Sequence, residues 1–170
     1  MPRLRFLLLV FSLTTVASLA FAGASAQSHR TSKSTHAPAH VMVAAEDVKW
    51  GPAPPALPAG AEVAVLDGDP SKAGSPFTIR IKFPDGYKVA PHWHPTDERV
   101  TVLEGSLGVG VGAKFDPAAG QVLSAGSYTA MPKGVRHFAW AVGATVLQVS
   151  ATGPFAVTYV NKADDPRNAK

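Results

Sequence analysis

The 170-residue chain contains no cysteine, which removes disulfide frameworks, thiolate metal sites, cysteine nucleophiles and a lipid-modified N-terminal cysteine from consideration. Any metal must therefore rest on His, carboxylate or carbonyl ligands. Charge is also scarce: 16% of the residues are charged, 16 basic groups stand against 12 acidic ones, and the formal net charge is +4. There is no run of Lys and Arg and no basic stripe with interleaved aromatics, so neither nucleic acid nor anionic lipid is an expected partner. Amphipathic helical patterns of ten or more residues are missing too, which argues against an α-helical architecture. What the chain does have is an apolar fraction of 46%, sufficient for one globular core at this length and too much for a disordered tail.

Residues 1–26 have the three parts of a secretory signal. Arg3 and Arg5 form the positive start, an apolar run spans 6–22, and Ala24-Ser25-Ala26 offers the small-x-small cleavage pattern before Gln27, with Ala20-Phe21-Ala22 as a second candidate cut. The apolar run is barely long enough to span a bilayer and is followed at once by small residues, so cleavage is expected rather than stable membrane anchoring. The expected location is periplasmic or secreted. Cleavage after Ala26 removes two of the 16 basic groups and no acid, so 14 against 12 leaves +2. Residues 27–59 then read as a polar arm bearing His29, His36 and His40, followed by a Pro-rich lead-in over 51–60. The irregular spacing of these histidines, with no carboxylate beside them, favours a solvated leader over a metal site.

From residue 60 to about 160 the punctuation is that of β-structure, with a short tail over 161–170. Short apolar or alternating runs are separated by Gly, Pro and Asp, and predict strands over 62–66, 77–83, 87–94, 99–103, 107–111, 121–123, 127–131, 137–141, 145–151 and 155–160. Many short strands with regular turns indicate an all-β sandwich or barrel. Phe77, Ile79, Ile81 and Phe83 alternate with Thr78, Arg80 and Lys82, so one face of that strand is expected in the core and the other in solvent. Glu104-Gly105-Ser106 is expected to form a tight hairpin, and Pro132-Lys133-Gly134 a turn leading to His137. Gly108, Gly110 and Gly112 have no following helix to receive a pyrophosphate and read as small strand or turn positions.

The informative feature is histidine. After residue 41 the chain has only His92, His94 and His137. His92 and His94, two apart on a strand, share a face, which is the spacing a metal chelate on β-structure needs. A tight connection through Pro95-Thr96-Asp97 would let Glu98 open the next strand toward the same interior, and His137 would add a fourth donor from a distant strand. Asp97 itself reads as turn chemistry, and Glu104, placed in the expected hairpin, is no convincing general acid or base.

These residues carry a family resemblance. Gly86, five residues, His92-x-His94, three residues, Glu98, six residues and Gly105 resemble the first cupin motif; Gly126, five residues, Pro132-x-Gly134, two residues and His137 resemble the second. The resemblance spans about residues 60–160 and implies a single-domain jelly-roll β-barrel with a metal in its interior, ligated by His92, His94, Glu98 and His137. Where the second motif usually ends in Asn this chain has Ala141, so that Asn's hydrogen bonds must come from elsewhere.

Three neutral imidazoles and a carboxylate around one divalent ion leave a unit of positive charge and, in an octahedral ion, two positions for water, dioxygen or a substrate oxygen pair; Fe, Mn, Ni, Co, Cu and Zn all suit such a set. The resemblance thus implies a metal-dependent oxidoreductase of dioxygenase or oxalate-type chemistry acting on a small oxygen-bearing molecule, with non-catalytic capture of a small molecule or metal as the alternative. Period two places His137, Ala139 and Ala141 inward and Phe138 and Trp140 outward, with Trp93 opposite His92 and His94, and Arg99 and Arg136 outside the cavity. Outward aromatics need a cover, for which the Pro-rich segment or a second subunit is expected, and a homodimer follows from the latter.

Overall fold

The computed structural model describes residues 40–169. The expected signal over 1–26 and most of the polar arm, with His29 and His36, lie outside the described residues. Among the described residues nine strands, all paired antiparallel, form one curled sheet: β1 (Gly51–Pro52), β2 (Glu62–Gly68), β3 (Pro76–Phe83), β4 (Lys88–Trp93), β5 (Glu98–Val111), β6 (Gln121–Ser124), β7 (Tyr128–Met131), β8 (His137–Thr152) and β9 (Thr158–Tyr159). The helical content of the described residues is four single 3-10 turns. The architecture is the expected all-β jelly-roll barrel.

Two long strands form its spine. β5 and β8 run antiparallel from Arg99 opposite Ser150 to Val111 opposite His137. The second half of β8 also pairs with β3, from Phe83 opposite Thr145 to Pro76 opposite Thr152, and its first half pairs with β4. One strand thereby joins both walls of the barrel. The predicted hairpin at Glu104-Gly105-Ser106 is instead an irregularity inside a continuous β5, and the separate strands expected over 137–141 and 145–151 are one. Gly105 has φ +69°, and a Cβ there would stand 2.2 Å from the Ala144 carbonyl oxygen. A left-handed glycine serves a bulge as well as a hairpin, which is why the sequence pattern misled. The bulge has a function in packing: Val100 and Val102 face inward before it, Leu107 after it, so the inward parity switches and both halves of β5 serve the core.

β3 behaves as its alternation requires. Phe77, Ile79, Ile81 and Phe83 are buried, each contributing roughly 1.5–3 kcal/mol. Its outer face forms polar pairs across the sheet: Lys82 with Glu62 at 3.8 Å, Arg80 Nε donating to Gln148 at 3.4 Å, and Thr78 with Ser150 at 3.1 Å. Trp50 adds a ring under the Lys82 ammonium at 4.0 Å.

The outer aromatics receive their cover from an unexpected place. Phe138 is only 1% exposed and Trp140 half-buried. Phe115, in the connection between β5 and β6, lies 5.0 Å from Phe138 and 6.2 Å from Trp140, ring centre to ring centre. The two rings fit because they oppose Gly110 and Gly108, where any Cβ would fall about 2 Å from ring carbons. Phe115 thus gives these rings cover from within the chain.

That Pro-rich segment pairs at β1 with β2 and is then fastened by two phenols, Tyr87 donating to the Pro58 carbonyl and Tyr159 to the Ala56 carbonyl at 2.9 Å. The strand predicted over 155–160 shrinks to β9. Over residues 153–157 the chain leaves the strand, and Phe155 and Val157 pack against the core, with Phe155 edge-on to Phe77 at 5.3 Å.

Candidate metal centre

His92, His94, Glu98 and His137 arrive from three strands and one connection, and all four are at most 8% exposed. His92 lies on β4 with its Cα opposite that of His137 on β8. His94 follows β4 directly, and Glu98 opens β5 opposite Met131 of β7. The chain turns between them as the sequence suggests. The Asp97 carboxylate accepts from Lys133 N–H at 3.0 Å, and Gly134 N–H donates to the His94 carbonyl at 2.9 Å. Asp97 therefore ties the turn before Glu98 to the turn before His137, the structural role expected of it.

The protonation of the rings follows from their partners. Nδ1 of His92 lies 2.8 Å from the Ala90 carbonyl oxygen, that of His94 2.9 Å from Ala156, and that of His137 3.0 Å from Val135. A carbonyl oxygen only accepts, so each Nδ1 carries a proton, and in the neutral ring Nε2 is left as a bare lone pair. This is the arrangement by which metal-binding histidines are held by their surroundings. One donor atom from each ring lies within 4.8 Å of those of the other two. The compact set is the three imidazoles; Glu98 joins it through one carboxylate oxygen, 3.6 Å from His94 Nε2 and 3.5 Å from His137 Nε2.

Electrostatics favour the same reading. Burial first, then the neighbouring His137 and His94 rings, pushes His92 down to about 3, and burial likewise lowers His94. Burial alone would raise Glu98, but its contacts with His137 and then His94 outweigh that and hold it below the ordinary carboxylate value. Among the described residues no Lys or Arg pairs with Glu98. A buried carboxylate beside three buried rings whose Nδ1 atoms are already engaged by backbone carbonyls forms a site that a cation completes. The buried Nε2 of His94 has no hydrogen-bond partner, which is the direct mark of a lone pair waiting for something other than a protein donor. The donor set thus fits a divalent first-row ion.

A cavity of about 350 Å³ adjoins this cluster. His94 is held on its far side by Phe155, whose ring stacks on the imidazole at 4.4 Å and 13°. Sequence reasoning missed Phe155 as a contributor, having placed it in a strand. It also missed Arg167, at the cavity rim, in what reads as a tail. Arg99 and Arg136 are exposed as expected, and Ala141 is buried in the core, where its N–H donates to the Tyr87 carbonyl at 2.8 Å.

A family model described as "Domain of unknown function (DUF4437)" matches residues 42–168. Among solved structures, the polyketide cyclase RemF from Streptomyces resistomycificus is 21% identical, with a TM-score of 0.57 over 75% of this chain and 90% of that one. KdgF from Halomonas sp. is 19% identical, with a TM-score of 0.53 over 67% of this chain and 94% of that one. An RmlC-like cupin from Shewanella frigidimarina is also 19% identical, with a TM-score of 0.53 over 67% and 91%. At these identities the similarity is one of fold, that of the cupin jelly roll. No curated protein shows a significant sequence match.

Proposed function

The chain belongs to the family described as "Domain of unknown function (DUF4437)", and from that premise and the geometry of the cluster we propose that it is an exported protein whose His92, His94, Glu98 and His137 hold one divalent first-row ion. The observation that carries this reading is the locking of all three Nδ1 protons on backbone carbonyls, which leaves three lone pairs converging beside a carboxylate. The centre acts as an oxidoreductase on a small oxygen-bearing organic molecule. An ion in this set supplies Lewis acidity and, if redox-active, electrons for chemistry with dioxygen. The protein's own part is to orient the imidazoles, to keep bulk water from them by burial, and to seat the substrate in the adjoining cavity.

A second reading has an observation of its own. Beyond the proposed ligands, the only polar side chain that lines the cavity among the described residues is Arg167, which is a poor general base or acid at neutral pH. That favours capture of a small molecule without turnover. Elemental analysis of anaerobically purified protein, with oxygen uptake against carboxylates, diketones and phenols, separates the two. One redox metal per chain coupled to uptake supports the oxidoreductase; metal with ligand-dependent thermal stabilisation and no uptake supports capture; no metal after reconstitution removes both. Export is tested by N-terminal sequencing of the secreted protein, with cleavage after Ala26 the expected result.

A further inference from the structure

The cavity is larger than an ion and its waters require. At about 350 Å³ it has roughly twice the ~150 Å³ of an apolar engineered cavity that takes up benzene. Its chemistry is one-sided. His92, His94, Glu98 and His137 form one region of the wall, and the rest, including Val63, Ile79, Ile81, Leu147, Val149 and Phe155, is apolar apart from Arg167. Arg167 is already engaged. Its Nε and Nη2 both donate to the Asp165 carboxylate at 2.7 Å, and Nη2 also donates to the Val157 carbonyl at 3.1 Å. That ion pair offsets the guanidinium charge before any ligand arrives.

Val65 shows that the apolar surface is reachable: it lines the cavity and is 55% exposed. A ligand with a second carboxylate or several hydroxyls would lose water on entering and find no partner on these walls. An apolar body would lose nothing and gain burial.

Resting on the reading of the cluster as a metal site, we infer that the ligand is a small, predominantly apolar organic molecule with a single oxygen-chelating head and no second charged group. The head faces the histidines; a body of about aromatic-ring size lies against the inward face that β3 and the second half of β8 form together. This narrows the sequence-level expectation away from sugars and from dicarboxylates with a free second carboxylate.

The test uses three 1,3-diketones that share one chelating head and differ in body: benzoylacetone carries a phenyl, acetylacetone a methyl and succinylacetone a carboxyethyl arm. Each is titrated by calorimetry into zinc-reconstituted protein whose metal content is measured separately. Benzoylacetone is expected to bind about tenfold or more tighter than acetylacetone, and succinylacetone no tighter than acetylacetone. Ile81→Phe, which adds bulk to the apolar wall, should reduce the benzoylacetone advantage to near parity at unchanged zinc content and leave acetylacetone binding alone. If that variant fails to fold, Val65→Trp at the exposed rim serves the same purpose. Succinylacetone binding as tightly as benzoylacetone, or Ile81→Phe leaving the advantage intact, overturns the inference while the metal reading stands. Wild-type protein that retains no zinc overturns the metal reading, and with it the chelating head.

Discussion

The two walls of the cavity are built by opposite means. On the histidine wall every ring is fixed by a backbone carbonyl, and a buried Nε2 of His94 is left without a partner. On the apolar wall, the side chains of Ile79, Ile81, Leu147 and Val149 have no polar atom to satisfy, and packing positions them on strands already paired to each other. The first wall costs stability unless something occupies it, because buried polar atoms without partners are unfavourable. The second supplies stability whether or not a ligand is present. A protein so divided should lose function and stability through different residues.

The sharpest way to break that division is at the ligands. His94→Ala should abolish retention of the ion, and with it the thermal stabilisation by added metal, which in wild type amounts to about 2.7 kcal/mol at a free-ion concentration of 100 times Kd. Elemental analysis and melting with and without metal would show this; a variant that keeps its ion would mean the centre lies elsewhere. Next in size is Phe77→Ala, which opens the apolar core beside Phe155 and should cost about 3–5 kcal/mol by denaturant unfolding while leaving metal stoichiometry intact.

Gly105→Ala tests the spine that joins the walls. A side chain at φ +69° with its Cβ 2.2 Å from the Ala144 oxygen should cost roughly 1–3 kcal/mol, seen as a lower denaturation midpoint. Lys82→Ala gives the smallest effect, below about 1 kcal/mol, since its pair with Glu62 is solvent-exposed and the Trp50 contact adds little. A larger loss there would show that the outer face contributes more than a solvated surface should.

The same contrast explains what could be read from the residues beforehand. The alternation in β3 and the His92-x-His94 spacing are local patterns imposed by the period of a strand, whereas Glu98 and His137 were named together with them through the motif resemblance; the structure brings the four side chains to one place. The partners of the rings were illegible because Ala90, Val135 and Ala156 contribute only carbonyls, which every residue has. Phe155 against His94 and Phe115 over Phe138 depend on how connections fold back, for which no period exists. The hairpin that proved to be a bulge at Gly105 failed for a subtler reason: one backbone conformation serves both turns and bulges, and only the pairing of β8 along all of β5 separates them.

The two tyrosines that fasten the Pro-rich segment have a consequence for alkaline conditions. Burial, and then its proximity to Tyr159, raises Tyr87 well above the ordinary phenol value; burial, followed by Asp165, pushes Tyr159 up to about 12. Both hydroxyls therefore keep the proton they donate to Pro58 and Ala56 far beyond the acidity range of living surroundings. The two phenol contacts that fasten this segment therefore do not respond to the medium, and Pro54, Ala56 and Leu57 keep their place on the cavity wall across that range.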